Sequence, residues 1–275
     1  MDKIRVVRIA QTVPVLNGEL KPDTTPEQFI DNIIGVTFKK SLNKGQNVEE
    51  SLTDNRKKIE DLKLLRNVLD QNHGSTLEHV YLTYAIINAS RSYLAQQTRH
   101  RMMSYTSSSQ HYIDHTEMSD AEVPVEILEL DNPEVIDFYM GAYKDVKEAY
   151  NTLISKYGID HSVARQLLPN AQRNLLIVTA NVRSWINFMN QRICNRNTSE
   201  IQYIAYLLRE DMKKVIPTCT EYMVPDCVSL GHCTQKAMSC GQKWTEEHME
   251  ELFGDLVQGE ESPLHQKRLI RKWLI

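Results

Sequence analysis

Residues 96–112 read QQTRHRMMSYTSSSQHY and place two arginines and a histidine directly before a run of hydroxyl side chains. Guanidinium groups bind a phosphate or a flat heterocycle through forked donors, and hydroxyl groups add short, neutral hydrogen bonds. Charge runs are usually solvated helix ends, and composition alone gives that interpretation equal weight. The apolar Tyr93 and Leu94 before the charges, and Met102 and Met103 after them, instead indicate a segment that passes through a core. The stretch therefore predicts an anion site within the fold.

The residues before the hydroxyl run predict a strand followed by a helix. From 79 to 89 the side chains are largely β-branched or aromatic, which favours a strand buried on both faces. Residues 90–103 have a helical pattern in which Gln96, Arg99 and Met103 share one face. The charged residues would then end this helix, and the hydroxyl run would form a polar loop.

Apolar periodicity predicts further elements along the chain. These are a strand at 4–10, a helix from Pro26, a helix from Leu52 to about Asn72, a long helix from Asn132 to before Gly158, a short helix at 160–168, a strand at 175–179, and helices at 181–190 and 199–215. In the long helix, an apolar stripe predicts packing on the core; it comprises Val135, Phe138, Ala142, Val146, Ala149, Leu153 and Ile154. Residues 113–131 are expected to form an exposed connection, and residues 267–272 an exposed basic helix or a subunit contact.

The spacing Arg99-His100-Arg101-x-x-Ser104, with Ser109 and Tyr112 behind it, resembles the signature of the flavin-dependent thymidylate synthases. Gln96 lies three residues before Arg99, as the nucleotide-binding glutamine of that family does. Other matched segments follow in order: His73-x-Ser75-x-x-Glu78-His79, Ala164-Arg165, Leu168-Pro169-Asn170, Asn181-Val182-Arg183, Asn187-Phe188, Arg192, Cys194-Asn195-Arg196, Glu200-Ile201 and the tail Cys227 to Gly241. Ordered agreement over several segments is far more specific than one Arg-His-Arg.

The resemblance implies an α+β fold, a single domain with a central, mostly antiparallel sheet flanked by long helices, assembled as a homotetramer whose pockets are shared between subunits. It also implies reductive methylation of dUMP to dTMP, with FAD as cofactor and NADPH and methylenetetrahydrofolate as co-substrates. The sequence contains no GxGxxG motif, so the FAD site would not be a Rossmann fold.

The resemblance also implies residue roles. Nucleotide-binding residues would be Gln96, Arg99, Ser107, Ser108, Ser109, His111, Arg165 and Arg192, with Arg165 on the phosphate. FAD-binding residues would be Ser75, Arg99, His100, Arg101, Asn181, Arg183 and Asn187. Arg192 would be catalytic, because in the family this arginine is taken to polarise the pyrimidine.

Two chemical routes can make C5 of uracil electron-rich. A thiolate can add to C6, and Cys194 lies between Arg192 and Arg196, which would lower its pKa if the side chains converged. Alternatively, a cation beside the ring favours its anionic form, a role that suits Arg192. We favour the second route, because a free cysteine is more often a small buried side chain than a nucleophile.

Some positions depart from the family pattern. His111 occupies a position that is usually arginine, Thr106-Ser107-Ser108 replaces a frequent carboxylate or amide, and Asn197-Thr198-Ser199 replaces Ala-Gln-Trp. A second hypothesis is therefore an enzyme that acts on another pyrimidine nucleotide such as dCMP, or that delivers hydroxymethyl. A third is a catalytically idle relative that serves as a nucleotide-binding or assembly subunit.

Composition limits the remaining possibilities. A net charge of −4 disfavours nucleic acid or an anionic membrane as a partner, and no linker divides residues 1–275, so that 243–275 is expected to be a C-terminal extension of one domain. The chain shows no signal peptide, and we expect a cytoplasmic protein with reduced thiols among its five cysteines. A metal site can be imagined from Cys219, Cys227, Cys233, Cys240 and His232, but these residues lack close CxxC pairs, so none is predicted.

Overall fold

The computed structural model describes residues 4–39, 47–113, 115–116 and 121–257. The strands are β1 Arg5–Gln11, β2 Val15–Leu16, β3 Glu19–Leu20, β4 Tyr81–Ser90, β5 Ser104–Ser107 and β6 Arg173–Asn181. The α-helices are α1 Pro26–Ile34, α2 Val48–Leu52, α3 Lys63–Asp70, α4 Arg91–Gln97, α5 Val125–Leu128, α6 Pro133–Ser155, α7 His161–Ala164, α8 Val182–Arg192, α9 Ser199–Met212, α10 Pro217–Thr220, α11 Asp226–Ser229 and α12 Glu246–Val257. Shorter 3₁₀ turns lie at Ile59–Asp61, Gly74–His79, Arg165–Leu167 and Lys236–Met238, and a π-helical turn at Gly35–Lys39.

The main sheet is antiparallel and has the strand order β1-β4-β6-β5. Strands β4 and β6 pair along their whole length, so the two predicted buried strands form its centre. The expected α+β fold with a central antiparallel sheet is thereby confirmed. The predicted basic segment at 267–272 lies outside the described residues, and within those residues no helix is long and apolar enough to cross a bilayer.

Helices α8 and α9 cover one face of this sheet. Tyr84 of β4 lies edge-on to Trp185 of α8 at 5.5 Å, and the Trp185 indole N–H donates to the Leu82 carbonyl. The Tyr84 hydroxyl donates to Asp211 of α9. Burying these aromatic rings against the strands stabilises the packing of α8 on the sheet, and α8 carries several candidate site residues.

The predicted helix from Leu52 to Asn72 is wrong in its first half. Only α3 is helical as expected, while α2 ends at Leu52 and the chain then runs irregularly to Asp61. Side chains of α1 bind the carbonyls of this segment: Gln28 Nε2 donates to the carbonyls of Asn55 and Lys57, and Asn32 Nδ2 to that of Asp54. These tertiary hydrogen bonds replace the helical ladder and override local propensity.

The signature stretch is also less helical than its pattern predicts. Helix α4 ends at Gln97, residues 98–103 form turns, and the supposed polar loop begins as strand β5, paired with β6. The Tyr105 hydroxyl donates to the carbonyls of Gln97 and His100, which closes the turn on itself. Met103 is buried as expected, but Met102 is 81% exposed.

Helix α6 packs through tyrosines rather than through the predicted apolar stripe. The Tyr139 hydroxyl donates to the Glu122 carbonyl and the Tyr143 hydroxyl to Gln172. Phe138, at the centre of the stripe, is 78% exposed, and no stripe residue is buried in the chain alone. The prediction that residues 113–131 form an exposed connection is wrong in part, because Ala121 and Val123 are buried.

Candidate active site

Arg192 lies in the last turn of α8 and bonds to the signature stretch. Its Nε donates to His100 Nε2 at 2.9 Å, and Nη2 donates to the Gln96 carbonyl at 3.2 Å. Nη1 donates to Asn197 Oδ1 at 3.3 Å. Three of the five guanidinium N–H donors are therefore engaged in orienting the group.

His100 is held as a neutral imidazole. Burial lowers the pKa of His100 to about 4, and the Arg192 guanidinium adds to the decrease. Because Nε2 accepts the hydrogen bond from Arg192, the proton of the neutral ring is assigned to Nδ1. The ring also lies edge-on to Phe188 at 5.0 Å. His100 thus positions Arg192 by accepting from it, without adding a second positive charge.

The surroundings of Arg192 favour binding of an electron-rich group. Burial lowers the pKa of Arg192, the hydroxyls of Tyr105 and Tyr93 raise it, and the exposed Arg99 lowers it further. A partly desolvated guanidinium interacts with an anion more strongly than one in water. This pair of arginines can therefore stabilise negative charge that develops on a ligand.

Residues of segment 197–199, which departs from the family pattern, contact Arg192 and Gln96 directly. Asn197 accepts from Arg192, and Thr198 Oγ1 accepts from the side chain of Gln96 at 3.3 Å. The sequence identified 197–199 only as a departure from the family pattern. The structure shows that two of its three side chains contact predicted site residues.

A second group consists of Arg91 and Arg165. Burial lowers the pKa of Arg91, and the Arg165 guanidinium adds to the decrease, so the two cations lie within electrostatic range of each other. Arg165 Nε donates to the Ser162 carbonyl at 2.9 Å. Two neighbouring guanidiniums form a phosphate site in outline. The sequence analysis did not identify Arg91. The feature that could have indicated it is its position at the start of α4, directly after the cap Ser90 and eight residues before Arg99.

A third group surrounds Arg183 at the start of α8. Arg183 Nη1 donates to Glu78 Oε1 at 2.6 Å, and a Cβ at Gly74 would lie 2.9 Å from Arg183 Nε, so a larger residue there would displace the Arg183 side chain. Ser75 is exposed beside this turn. Asn181 Oδ1 accepts from the Ser184 N–H as the helix cap, and the exposed Asn187 accepts from Gln191. Exposed cations and amides of this kind suit a dinucleotide pyrophosphate and sugar.

The remaining predicted residues follow β5. Ser107 ends the strand, and Ser108 binds the backbone of Leu175 through both its N–H and its hydroxyl. Ser109 Oγ accepts from the His111 N–H, and the exposed His111 places its carbonyl 2.8 Å from His161 Nε2. Arg101 is exposed in the turn before the strand. The side chain of Ser108 thus has a structural role in addition to any contact with a ligand.

Within the described part of a single chain, the three arginine groups are not joined by hydrogen bonds or ion pairs. Arg183 and Arg192 lie at opposite ends of α8, about 14 Å apart along its axis. Arg99 and Arg192 form one group, Arg91 and Arg165 a second, and Arg183 with Glu78 a third.

The thiolate alternative is not supported by the environment of Cys194. Burial raises the pKa of its thiol, and neighbouring thiols add to the rise, whereas the backbone N–H of Arg196 lowers it. The Arg192 guanidinium points to His100 instead. Sequence proximity to two arginines therefore does not produce an activated nucleophile.

Comparisons with known proteins agree with the resemblance. The family model described as thymidylate synthase complementing protein matches residues 20–218. A flavin-dependent thymidylate synthase of Clostridium tetani is 34% identical over 195 residues, which cover 66% of this chain and 77% of that protein. One of Pyrococcus abyssi is 32% identical over 205 residues, covering 69% and 81%.

Among solved structures, the UMP/dUMP methylase PolB of Streptomyces cacaoi, bound with 5-Br dUMP, aligns with a TM-score of 0.61. It is 19% identical and the alignment covers 80% of this chain and 94% of that one, so it supports the fold alone. The family match extends over well more than half of the sequence and includes the Arg192, His100 and Arg165 groups. This chain therefore belongs to the flavin-dependent thymidylate synthase family.

Proposed function

We propose that this chain methylates dUMP to dTMP, taking the one-carbon unit from methylenetetrahydrofolate and reducing equivalents from NADPH through FAD. The observation that carries the proposal is the guanidinium of Arg192, fixed by a neutral His100 and by the Gln96 carbonyl. A fixed cation can stabilise the anionic form of a uracil ring without a covalent bond to the protein.

The other groups supply binding rather than chemistry. Arg91 and Arg165 would bind the 5′-phosphate, because two guanidiniums within electrostatic range of each other offer forked donors to its oxygens. Gln96, Arg99 and Ser107 to Ser109 would bind the nucleoside, which agrees with the position of Gln96 and Arg99 around Arg192. Each of these interactions orients the ring before it reacts.

The donor set around Arg183 fits FAD. Arg183, Arg99 and Arg101 would bind its pyrophosphate, His100 would contact the cofactor beside them, and Ser75, Asn181 and Asn187 would contact its sugar and adenine. The glycine at position 74 leaves the space that the Arg183 side chain occupies, so that its guanidinium stays exposed and oriented by Glu78. When bound, the flavin supplies the hydride chemistry and carries the one-carbon unit.

We also propose a homotetramer in which neighbouring subunits complete each site. The sheet face opposite α8 and α9 carries apolar side chains that are partly exposed in the single chain, including Val7, Ile9 and Leu175. An exposed face of an antiparallel sheet is usually polar. An interface here would cover apolar surface, and oligomer formation would bring separate arginine groups into shared pockets.

A second candidate is the same reaction class on another pyrimidine nucleotide. It is favoured by Asn197, a departure from the family pattern that directly contacts Arg192. His111, another departure, stands where the family usually has an arginine, and an imidazole lacks the forked donors of a guanidinium. If His111 contributes to nucleotide choice, His111→Arg changes the ratio of KM values for uridine and cytidine nucleotides. An unchanged ratio would remove this role.

Purified protein separates the candidates in one experiment. The flavin spectrum is recorded, and folate-dependent NADPH oxidation is followed with dUMP and then with dCMP, the product being identified by mass. Bound FAD with dTMP as product is the expected result. Methylated or hydroxymethylated cytidine nucleotide would support the second candidate. A colourless protein without turnover would overturn both and identify a catalytically idle relative.

A further inference from the structure

Glu200, in the first turn of α9, binds the N-cap residue of α4 through both carboxylate oxygens. Its Oε1 accepts from the Ser90 N–H at 2.6 Å, and its Oε2 accepts from the Ser90 hydroxyl at 2.5 Å. The Ser90 hydroxyl oxygen accepts in turn from the Tyr93 N–H at 3.0 Å, as the cap of α4. The two hydrogen bonds between Glu200 and Ser90, which we call the Glu200 clamp, therefore join the start of α9 to the start of α4.

The clamp requires a carboxylate rather than a polar side chain in general. Ser90 is buried and Glu200 is partly buried, so water competes little for these bonds. A carboxylate accepts two hydrogen bonds at once through separate oxygens, whereas the amide of glutamine has one acceptor oxygen. Hydrogen bonds to an ionised acceptor are also stronger than those between neutral groups. Glutamine at position 200 would therefore lose at least one of the two bonds.

The start of α4 is also bound by the chain that follows Arg165. The Arg91 N–H donates to the Gln172 carbonyl at 3.0 Å, and the Ser92 N–H donates to the Asn170 carbonyl at 3.1 Å. The segment with these carbonyls comes directly after the short turn at 165–167. Backbone hydrogen bonds thus tie the residue Arg91 to the segment that continues from Arg165.

The first turn of α9 contacts the other end of α4 as well. Thr198, the N-cap of α9, accepts from the Gln96 side chain at 3.3 Å, and the Gln96 carbonyl accepts from Arg192 Nη2 at 3.2 Å. Arg91 and Gln96 are the first and sixth residues of α4, about 7.5 Å apart along its axis. A change at the clamp would therefore move a short helix that carries candidate nucleotide-binding residues at both ends.

We propose that Glu200 is a positioning residue for nucleotide binding, which holds the start of α4 so that Arg91 and Arg165 together bind the 5′-phosphate. The inference rests on the proposed function, in which these two guanidiniums take the phosphate. Forked donors bind phosphate strongly only in the correct geometry. A misplaced Arg91 would keep its charge but lose this geometry, so nucleotide affinity would fall.

A purely structural contact makes a different prediction. It would change the stability of the fold, and any loss of affinity would be the same whether or not Arg91 is present. A positioning role requires that the effect of Glu200→Gln depend on Arg91. A double-mutant cycle on nucleotide affinity measures this dependence.

The test titrates full-length protein, purified with FAD, with dUMP in a calorimeter. We expect Glu200→Gln to raise the Kd for dUMP about tenfold, but less than about twofold when Arg91 is already alanine. Glu27→Gln is the matched control, because Glu27 is also buried and accepts from a backbone N–H, that of Cys219 at 2.7 Å, outside the candidate site. It should bind dUMP as the parent does.

A milder variant keeps the test decisive if Glu200→Gln does not fold, which circular dichroism would reveal. Ser90→Ala removes the hydroxyl and retains the N–H that donates to Glu200. It should raise the Kd about threefold and have no further effect in the Arg91→Ala background.

The titration separates this inference from the proposed reaction, because it measures binding and not turnover. An unchanged Kd in Glu200→Gln, or a loss that persists in full without Arg91, would overturn the positioning role even if the parent forms dTMP. A parent that binds dUMP without forming dTMP would refute the reaction, while the cycle would still decide the role of Glu200. A parent that binds no dUMP would overturn both.

Discussion

In the candidate site, the charged Arg192 is the proposed contact to the ligand and the neutral His100 holds Arg192 in place. The imidazole accepts from the guanidinium at 2.9 Å and remains uncharged, because burial and the adjacent cation both lower its pKa. A lysine or arginine in place of His100 would repel Arg192 and turn it away. The Arg-His-Arg signature therefore contains one positioning residue between two cations, which the sequence could not reveal.

Acid pH should weaken the fold through His100. Its folded-state pKa of about 4 lies below its reference value, so the unfolded chain takes up the proton first as pH falls. The contribution of the neutral imidazole is fully present above about pH 6.5 and is lost as pH falls towards and through pH 4. Urea unfolding from pH 7 to pH 4 should show a steeper loss of stability in the parent than in His100→Gln. Equal pH dependence of stability in the two proteins would show that protonation of His100 does not cause the loss.

Helix α1 fixes the conformation of the two segments that pack against it. Asp31 Oδ1 accepts from the backbone N–H groups of Leu64 and Leu65 and so caps α3, while Gln28 and Asn32 bind the irregular segment before it. A cap supplied by another helix leaves no local sequence signal. This explains why apolar periodicity alone joined the two parts into one helix.

Removing the Asp31 cap should destabilise the protein measurably. In Asp31→Ala, two N–H groups at the start of α3 lose their acceptor and Lys57 loses its partner. We expect the free energy of unfolding to fall by about 2 kcal/mol, measured by urea denaturation. Asp61→Ala, at an exposed position nearby, is the control and should change little. A similar effect of both substitutions would argue against a specific cap.

Sequence patterns predicted the presence of helices and strands better than they predicted which face of a helix packs or where a helix ends. Strands β4 and β6 and helices α6, α8 and α9 follow from residue type and spacing, and the first strand and the Pro26 helix start are also confirmed. The end of α4 at Gln97 depends on the Tyr105 hydroxyl, and the packed face of α6 depends on hydrogen-bonding tyrosines. Such tertiary contacts do not recur at a regular spacing along the sequence, so hydrophobic periodicity cannot predict them. The proximity of Arg91 to Arg165, for the same reason, appears only in the folded chain.

In the whole molecule, exposed apolar surface and separated site residues are the features on which the proposed assembly rests. The open sheet face bears Val7 and Leu175, and the α6 stripe bears Phe138, all on surfaces that the single chain leaves uncovered. The arginine groups at the two ends of α8 lie too far apart to meet without other elements. Both observations favour sites built between subunits.

A charge on the sheet face should break the assembly. In Val7→Glu a carboxylate would have to be buried against apolar surface, which costs several kcal/mol. Light scattering should find a tetramer for the parent and smaller species for Val7→Glu. Val15→Glu, on the β2–β3 hairpin at a comparably exposed position, is the control and should remain tetrameric. A monomeric parent, or an unchanged mass for Val7→Glu, would contradict the proposed interface.

The most direct test of the account is single-turnover dTMP formation by Arg192→Ala. The variant should bind FAD as the parent does, judged by its flavin spectrum, but form dTMP at least about 10²-fold more slowly, because the charge that stabilises the pyrimidine anion is gone. Arg56→Ala, an exposed arginine remote in sequence from the site, should react at the parental rate. Parental dTMP formation by Arg192→Ala would show that another group activates the ring.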